Sequence, residues 1–298
     1  MSHFLLFRQL LESRLERRAV EWFREAAREV SAGPSPARFS ALLAMGARHA
    51  RRAPLAPDAA EEARVSRAVE GLSIERWSVL DALRAALVLA RGDLAEETGA
   101  LAVEEAFRYA DEGEAVALYR TLALLPAAER FAGRAREGCR SNMKSVFEAA
   151  ALDTPVPFRL FDDAAWNQAA IKCLFLGAPL WRMWGLDARL SPELARMALD
   201  LADERRSARR PVPPALWLCL GAHGGERGTE SLARELDPAN FHVHGRRAAA
   251  YGLARAGEIA RLEARAAAEQ DPVILGILRD AHAGATSAAA FRALDPVS

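Results

Sequence analysis

Lysine is almost absent from this 298-residue chain: Lys144 and Lys172 stand against 38 arginines. Under such a bias a retained lysine is a candidate for chemistry of its own, because a compact ammonium is not interchangeable with a planar guanidinium. Cysteine is scarce as well. Cys139, Cys173 and Cys219 are odd in number and far apart, which argues against a disulfide framework and for a reducing, cytoplasmic setting. There is no net charge, since 40 basic residues balance 40 acidic ones. That removes any general field for nucleic acid or anionic lipid, so ligand electrostatics must be local. No window approaches the roughly 18 apolar residues of a membrane span, so direct membrane insertion is not expected. The longest uncharged run, Pro211–Gly225, is broken by proline and glycine. The start, Met1-Ser-His-Phe-Leu-Leu-Phe-Arg, has too short an apolar run and too early a charge for a signal peptide. Also missing are a P-loop, a G-x-G-x-x-G after a strand, H-E-x-x-H and G-x-S-x-G, so no catalytic or cofactor template applies and no cofactor is assigned.

What is present is helix periodicity. Hydrophobic residues make up 51% of the chain and charged residues 27%, a globular composition. No stretch alternates with period two for long enough to argue a sheet. Phe4, Phe7, Leu11, Leu15, Trp22, Phe23 and Val30 predict a helix over 3–30, ended by Gly33-Pro34-Ser35-Pro36. A second spans 37–51, and an exposed one 58–71. Ser73 reads as the N-cap of a helix over 74–91. Three shorter helices follow over 94–110, 113–125 and 127–137, then 140–152 and 163–177. Ser191-Pro192-Glu193 is a strong start for a helix reaching about Arg206: cap, proline at the first helical position, then an acid in the first turn. Helices over 229–236, 242–256, 258–269, 271–282 and 286–294 complete an all-α chain. The pattern around Arg247–Gly257 is similar to a HEAT-type repeat. The expected architecture is an array of antiparallel helix pairs, an α-solenoid or HEAT-like stack. It would comprise an N-terminal region 1–137, a central block 138–221 and C-terminal helices 222–298.

The central block holds the chemistry-bearing residues. On the helix over 163–177, Trp166 and Asn167 belong to the apolar stripe, and Lys172 lies about 140° round from Asn167. Asn167 is then either a structural amide or a ligand contact, and Lys172 either a snorkelling side chain or an anion contact. In Arg140, Asn142, Lys144 and Glu148, the lysine and the glutamate are one turn apart and can simply pair. Arg205, Arg206, Arg209 and Arg210 close the helix from Pro192. They are a solvated last turn, or else Arg205 and Arg209 clamp a phosphate or carboxylate with Glu204 holding one of them. Cys219, His223, His242 and His244 carry donor atoms but match no standard zinc spacing, and no metal site is assigned. Asp162, Asp163 and Asp187 read better as caps and turn residues than as a cation site.

Asn142 with Phe147-Glu148-Ala149-Ala150, Trp166-Asn167-Gln168 with Lys172 and Phe175, and Gly185-Leu186-Asp187 with Arg189 form a recognisable series. It continues through Glu193-Leu194-Ala195, Glu204-Arg205, Ala208-Arg209-Arg210 and Leu216-Trp217. In this series the chain resembles the EboA-domain family. The resemblance spans about 73–221, is strong over 138–217, and fades in the first seventy residues and after 221. Asp203 stands where many relatives are expected to have a histidine before the Glu-Arg pair. The resemblance implies an accessory protein of clusters that make or export specialised metabolites, beside a prenyltransferase-like membrane protein and a sugar-phosphate-cyclase-like synthase.

The reading that joins these features is a non-catalytic helical protein with a central pocket for a polar, anionic small molecule. A cyclitol phosphate, a sugar phosphate or a prenylated derivative would suit it. Asn142, Asn167 and Lys172 would give hydrogen bonds, Arg205 and Arg209 the anion contact, and Trp166 or Trp217 an apolar wall. Glu148, Arg189 and Glu204 complete the candidate set. The rival readings are a scaffold for partner proteins of the pathway, and an enzyme with Glu204 or Glu148 as base beside Lys172.

Overall fold

A computed structural model describes residues 2–237, 242–266 and 269–295. The described residues are helical, with no strand; extended backbone pairs in one isolated bridge, Pro54 with Ser78. The chain divides into two compact units, Met1–Asp162 and Asp163–Ser298. The boundary falls inside the 138–221 block, so the candidate residues are shared out between the units.

The first unit contains α1 (His3–Glu12), α2 (Arg17–Ser31), α3 (Pro36–Met45), α4 (Ala59–Ala68) and α5 (Val79–Leu89). It continues with α6 (Glu97–Tyr109), α7 (Glu112–Thr121), α8 (Ala132–Gly138), α9 (Lys144–Ala151) and α10 (Val156–Leu160). Every residue from Val79 to Val88 is buried, because α5 packs against α1, α2 and α7. Its two buried charged side chains are partnered, Asp81 by Arg120 and Arg84 by the Leu43 carbonyl at 3.2 Å. The same unit pairs α3 with α6, and α9 with both α7 and α8.

Two expectations are corrected here. The helix over 3–30 is broken at 13–16, where no glycine or proline warns of it. The turn aims Arg14 at distant partners: its guanidinium donates to the Leu55 carbonyl at 2.7 Å and to Glu61 at 2.5 Å. The cap before α5 is Ser78, not Ser73. Ser78 and Asp81 form a reciprocal capping box, and Asp81 also takes a 2.5 Å contact from Arg120. Ser73 instead donates its hydroxyl to Glu62, which also accepts the Ile74 N–H at 3.0 Å.

The second unit contains α11 (Asp163–Phe175), α12 (Pro192–Ser207), α13 (Gly225–Glu235), α14 (Val243–Arg255), α15 (Ile259–Ala266) and α16 (Pro272–His282). Short 3-10 helices over Leu180–Arg182, Asp187–Arg189, Pro214–Cys219 and Ala288–Leu294 link and cover them. Here α14 is central, packed against α13, α15, α16 and the Pro214–Cys219 turn. Its small residues allow close approach: a side chain at Gly252 would meet Leu232 at 2.6 Å and the Trp217 Cβ at 3.1 Å. The cap at Ser191 with Pro192 stands as read, the Ser191 hydroxyl accepting the Leu194 N–H at 3.1 Å. No helix among the described residues is long and apolar enough to cross a membrane.

Candidate functional site

In the first unit, α6, α7, α8 and α9 line an open cavity of about 440 Å³. Phe107, Tyr119 and Val146 form its apolar wall. The two rings lie 4.8 Å apart, and burial pushes the Tyr119 phenol up to about 12, which keeps it protonated and a hydrogen-bond donor. Arg134 stacks 5.0 Å over Phe107 and is held by Glu104 at 2.6 Å and Glu137 at 2.7 Å. Arg140 lines the cavity from an exposed turn, and its guanidinium makes no ion pair or hydrogen bond among the described residues. Ser141 and Met143 line it as well, with exposed Asn142 between them. Gly138 closes the back: a Cβ there would sit 2.6 Å from the Tyr119 ring and 2.7 Å from Ala150.

Lys144 and Glu148, at the start of α9, form the one-turn pair at 3.8 Å. Lys144 is about half exposed, so the pair contributes little, on the order of 0.5 kcal/mol or less.

The other candidates lie in the second unit. Trp166 and Asn167 are buried on α11, and Lys172 is half-buried on the same helix. The Trp166 face is covered by Arg189, whose guanidinium sits 4.8 Å above the ring and pairs with Asp163 at 2.7 Å. Such a cation over an indole contributes about 0.5–2 kcal/mol, a structural use for both side chains. Asp187 receives Arg255 at 2.6 Å and the Ala288 N–H at 2.8 Å, while Asp162 receives Arg136 at 3.2 Å. Each of the three aspartates thus faces an arginine of its own. Cys219 is fully buried, and burial pushes its thiol up to about 12. Among the described residues no three His, Cys, Asp or Glu side chains come together as a metal-binding group.

The arginine clamp is not built as its spacing suggests. α12 ends at Ser207, so Arg209 is off the helix, with φ +54° in the left-handed region. The Arg209 N–H bonds the Arg206 carbonyl at 2.9 Å and the Arg210 N–H the Arg205 carbonyl at 2.8 Å, the Schellman pattern that ordinarily takes glycine. Arg205 folds back onto the Pro211 carbonyl at 3.1 Å, and Glu204 is exposed. Because a non-glycine residue in this region costs about 1–2 kcal/mol, Arg209→Gly is expected to raise stability by about 1 kcal/mol in a denaturant titration. An arginine that held a structural contact would give a loss instead. The residue that turns inward is Arg206. It stacks 5.7 Å over buried Trp217 and reaches Ser231 at 2.7 Å and Glu235 at 3.3 Å.

Residues 4–221 match the family described as Metabolite traffic protein EboA. The chain belongs to the EboA family. The match begins at residue 4, so it takes in the N-terminal stretch where the resemblance fades, and it ends at Gly221, before α13. No curated protein and no solved structure matches the chain. Of the residues that carried the resemblance, Asn142 is exposed between two cavity-lining residues, and Phe147 on α9 is wholly buried. Phe107, Tyr119 and Arg134 were missed in the sequence. They come from three separate helices, and no spacing rule links them.

Proposed function

We propose that this chain is a non-catalytic accessory protein of metabolite traffic, and that it holds a small polar metabolite with an anionic group in the α6–α9 cavity. The traffic role is what the family description suggests. The observation that carries the site is the cavity itself: an aromatic wall of Phe107 and Tyr119, acceptor carboxylates from Asp111, Glu112 and Glu137, and the guanidinium of Arg140, which pairs with no carboxylate among the described residues. Its volume falls within the roughly 300–1,000 Å³ of small-molecule sites. A cyclitol or sugar phosphate fits this mixture. Its hydroxyls donate to the carboxylates, its apolar ring face lies on Tyr119, and Arg140 takes the phosphate oxygens. Asn142 completes the rim. In this reading Arg140 replaces Arg205 and Arg209 as the anion contact.

Thermal shift with glucose 6-phosphate, myo-inositol 1-phosphate and the corresponding free sugars tests it. Ligand at 100 times its dissociation constant adds about 2.7 kcal/mol of stability. The phosphates are expected to stabilise the wild type, the free sugars to do so less, and Arg140→Ala to lose the effect. A stabilisation unchanged in Arg140→Ala removes the proposal.

A partner-protein scaffold is favoured by one observation: Leu101 and Tyr109 on α6 are 60% and 70% exposed. The enzyme reading asks for a desolvated carboxylate beside Lys172. Glu204 is exposed, and Glu148 is engaged by Lys144.

A further inference from the structure

A second cavity, also of about 440 Å³, lies in the first unit between α1 and α2. Its floor is apolar. The Phe4 and Phe23 rings are 6.4 Å apart, Phe23 is 1% exposed, and Ala27 and Ala90 are buried. Its rim is cationic, with Arg8 from α1 and Arg24 and Arg28 from one face of α2, one turn apart.

The charges around this rim do not cancel. Glu12 is shared, its Oε1 accepting from Arg8 at 3.1 Å and from Arg24 at 2.8 Å. Both guanidiniums hold the Glu12 carboxyl below its ordinary value, so it stays ionised. Glu25, between Arg24 and Arg28 on α2, pairs with neither among the described residues, and Glu29 is taken by Arg38 at 2.6 Å. Arg28 donates to the Arg24 carbonyl at 3.3 Å and pairs with no carboxylate among the described residues. Three guanidiniums therefore meet one carboxylate over an aromatic floor, in a chain with no net charge. Guanidiniums one turn apart suit the two oxygens of a carboxylate or phosphate monoester, and a buried aromatic floor suits an apolar tail.

We propose that the α1–α2 cleft binds an amphiphilic anion, an apolar tail on Phe4 and Phe23 with a carboxylate or phosphate head on Arg24 and Arg28. The site is separate from the α6–α9 cavity and selects a different chemistry, a hydrocarbon chain in place of a hydroxylated ring.

Isothermal titration of the full chain with decanoate, decyl phosphate and decanol tests this. Decanoate and decyl phosphate distinguish the two head groups, and decanol lacks the charge. At least one of the anions is expected to bind, with decanol weaker by about tenfold or more, as loss of a charge-assisted hydrogen bond implies. Arg28→Glu changes an exposed side chain that supports no other residue, and is expected to weaken the anion by about tenfold or more. Arg17→Glu, at the exposed start of α2, is expected to leave binding unchanged. Equal binding of decanol, an unchanged affinity in Arg28→Glu, or no binding of either anion at about millimolar concentration would overturn the proposal. So would a loss in Arg140→Ala in place of Arg28→Glu, which would move the ligand to the other cavity.

Discussion

Replacing Trp217 with alanine is expected to destabilise the second unit by about 3–5 kcal/mol, the usual cost of deleting a fully buried tryptophan. The ring is 1% exposed and sits on a 3-10 turn packed against α11, α12 and α14. Gly252 is bare so that α14 can close on it. Arg206 covers the ring and also satisfies Ser231 and Glu235, whose side chain is 10% exposed. Truncating the indole removes this contact surface and loosens a buried ion pair, which adds to the cavity cost. Chemical denaturation of Trp217→Ala beside Arg205→Ala measures it. Among the described residues Arg205 donates only to the nearby Pro211 carbonyl, and its loss is expected to cost less than about 1 kcal/mol. If Trp217 were instead the open wall of a ligand pocket, its removal would leave stability nearly unchanged and affect binding alone.

Gly99→Ala is expected to cost about 1–3 kcal/mol or more, with the loss confined to the first unit. A Cβ at position 99 would lie 2.2 Å from the Asp93 carbonyl oxygen and 2.9 Å from the Leu94 Cα. These are backbone atoms and cannot swing aside as a side-chain tip can. The turn that carries them is itself held: Arg91 grips Asp93 with two hydrogen bonds, at 2.9 and 2.8 Å, and stacks 4.9 Å over Phe39. Relief therefore needs α6 to move off its seat against α3. Gly133→Ala is the matched control. Nothing lies within 4 Å of a Cβ there, the residue is inside α8, and its backbone is ordinary. Alanine at 133 is expected to gain about 0.5–1 kcal/mol through helix propensity and a less flexible unfolded chain. Paired thermal melts of the two variants should move in opposite directions. A destabilised Gly133→Ala, or a neutral Gly99→Ala, would contradict the packing described.

The helices were legible because their signals are local. Ser191-Pro192, Asp271-Pro272 and the 3.6-residue periodicity each act within a few residues. The capping box that starts α5 was misread as a cap at Ser73, although its signal is local: Asp81 is three residues after Ser78, whereas Arg76 is three after Ser73. The break after α1 was not legible, because the force behind it is Arg14 reaching Leu55 and Glu61, more than forty residues away. The same reason separates the candidate residues. Spacing put Arg205 and Arg209 on one helix face, but only tertiary contact chooses Arg206 as the inward arginine, through Ser231 and Glu235 on a later helix. Arg209 occupies a left-handed position with no glycine to mark the helix end. The α6–α9 cavity draws Phe107, Tyr119, Arg134 and Arg140 from four successive segments, each unremarkable by itself. Of the residues that carry the family resemblance, Asn142 lies between two that line this cavity, Ser141 and Met143.

Amide hydrogen exchange with saturating myo-inositol 1-phosphate tests the assignment of the metabolite site most directly. The account predicts slower exchange in peptides from 107–119 and 134–146, which line the α6–α9 cavity, and no change over 163–217. It also predicts that Arg140→Ala abolishes the protection. Protection of 163–217 with the first unit unchanged would contradict the account and return the site to the arginines and tryptophans of the second unit.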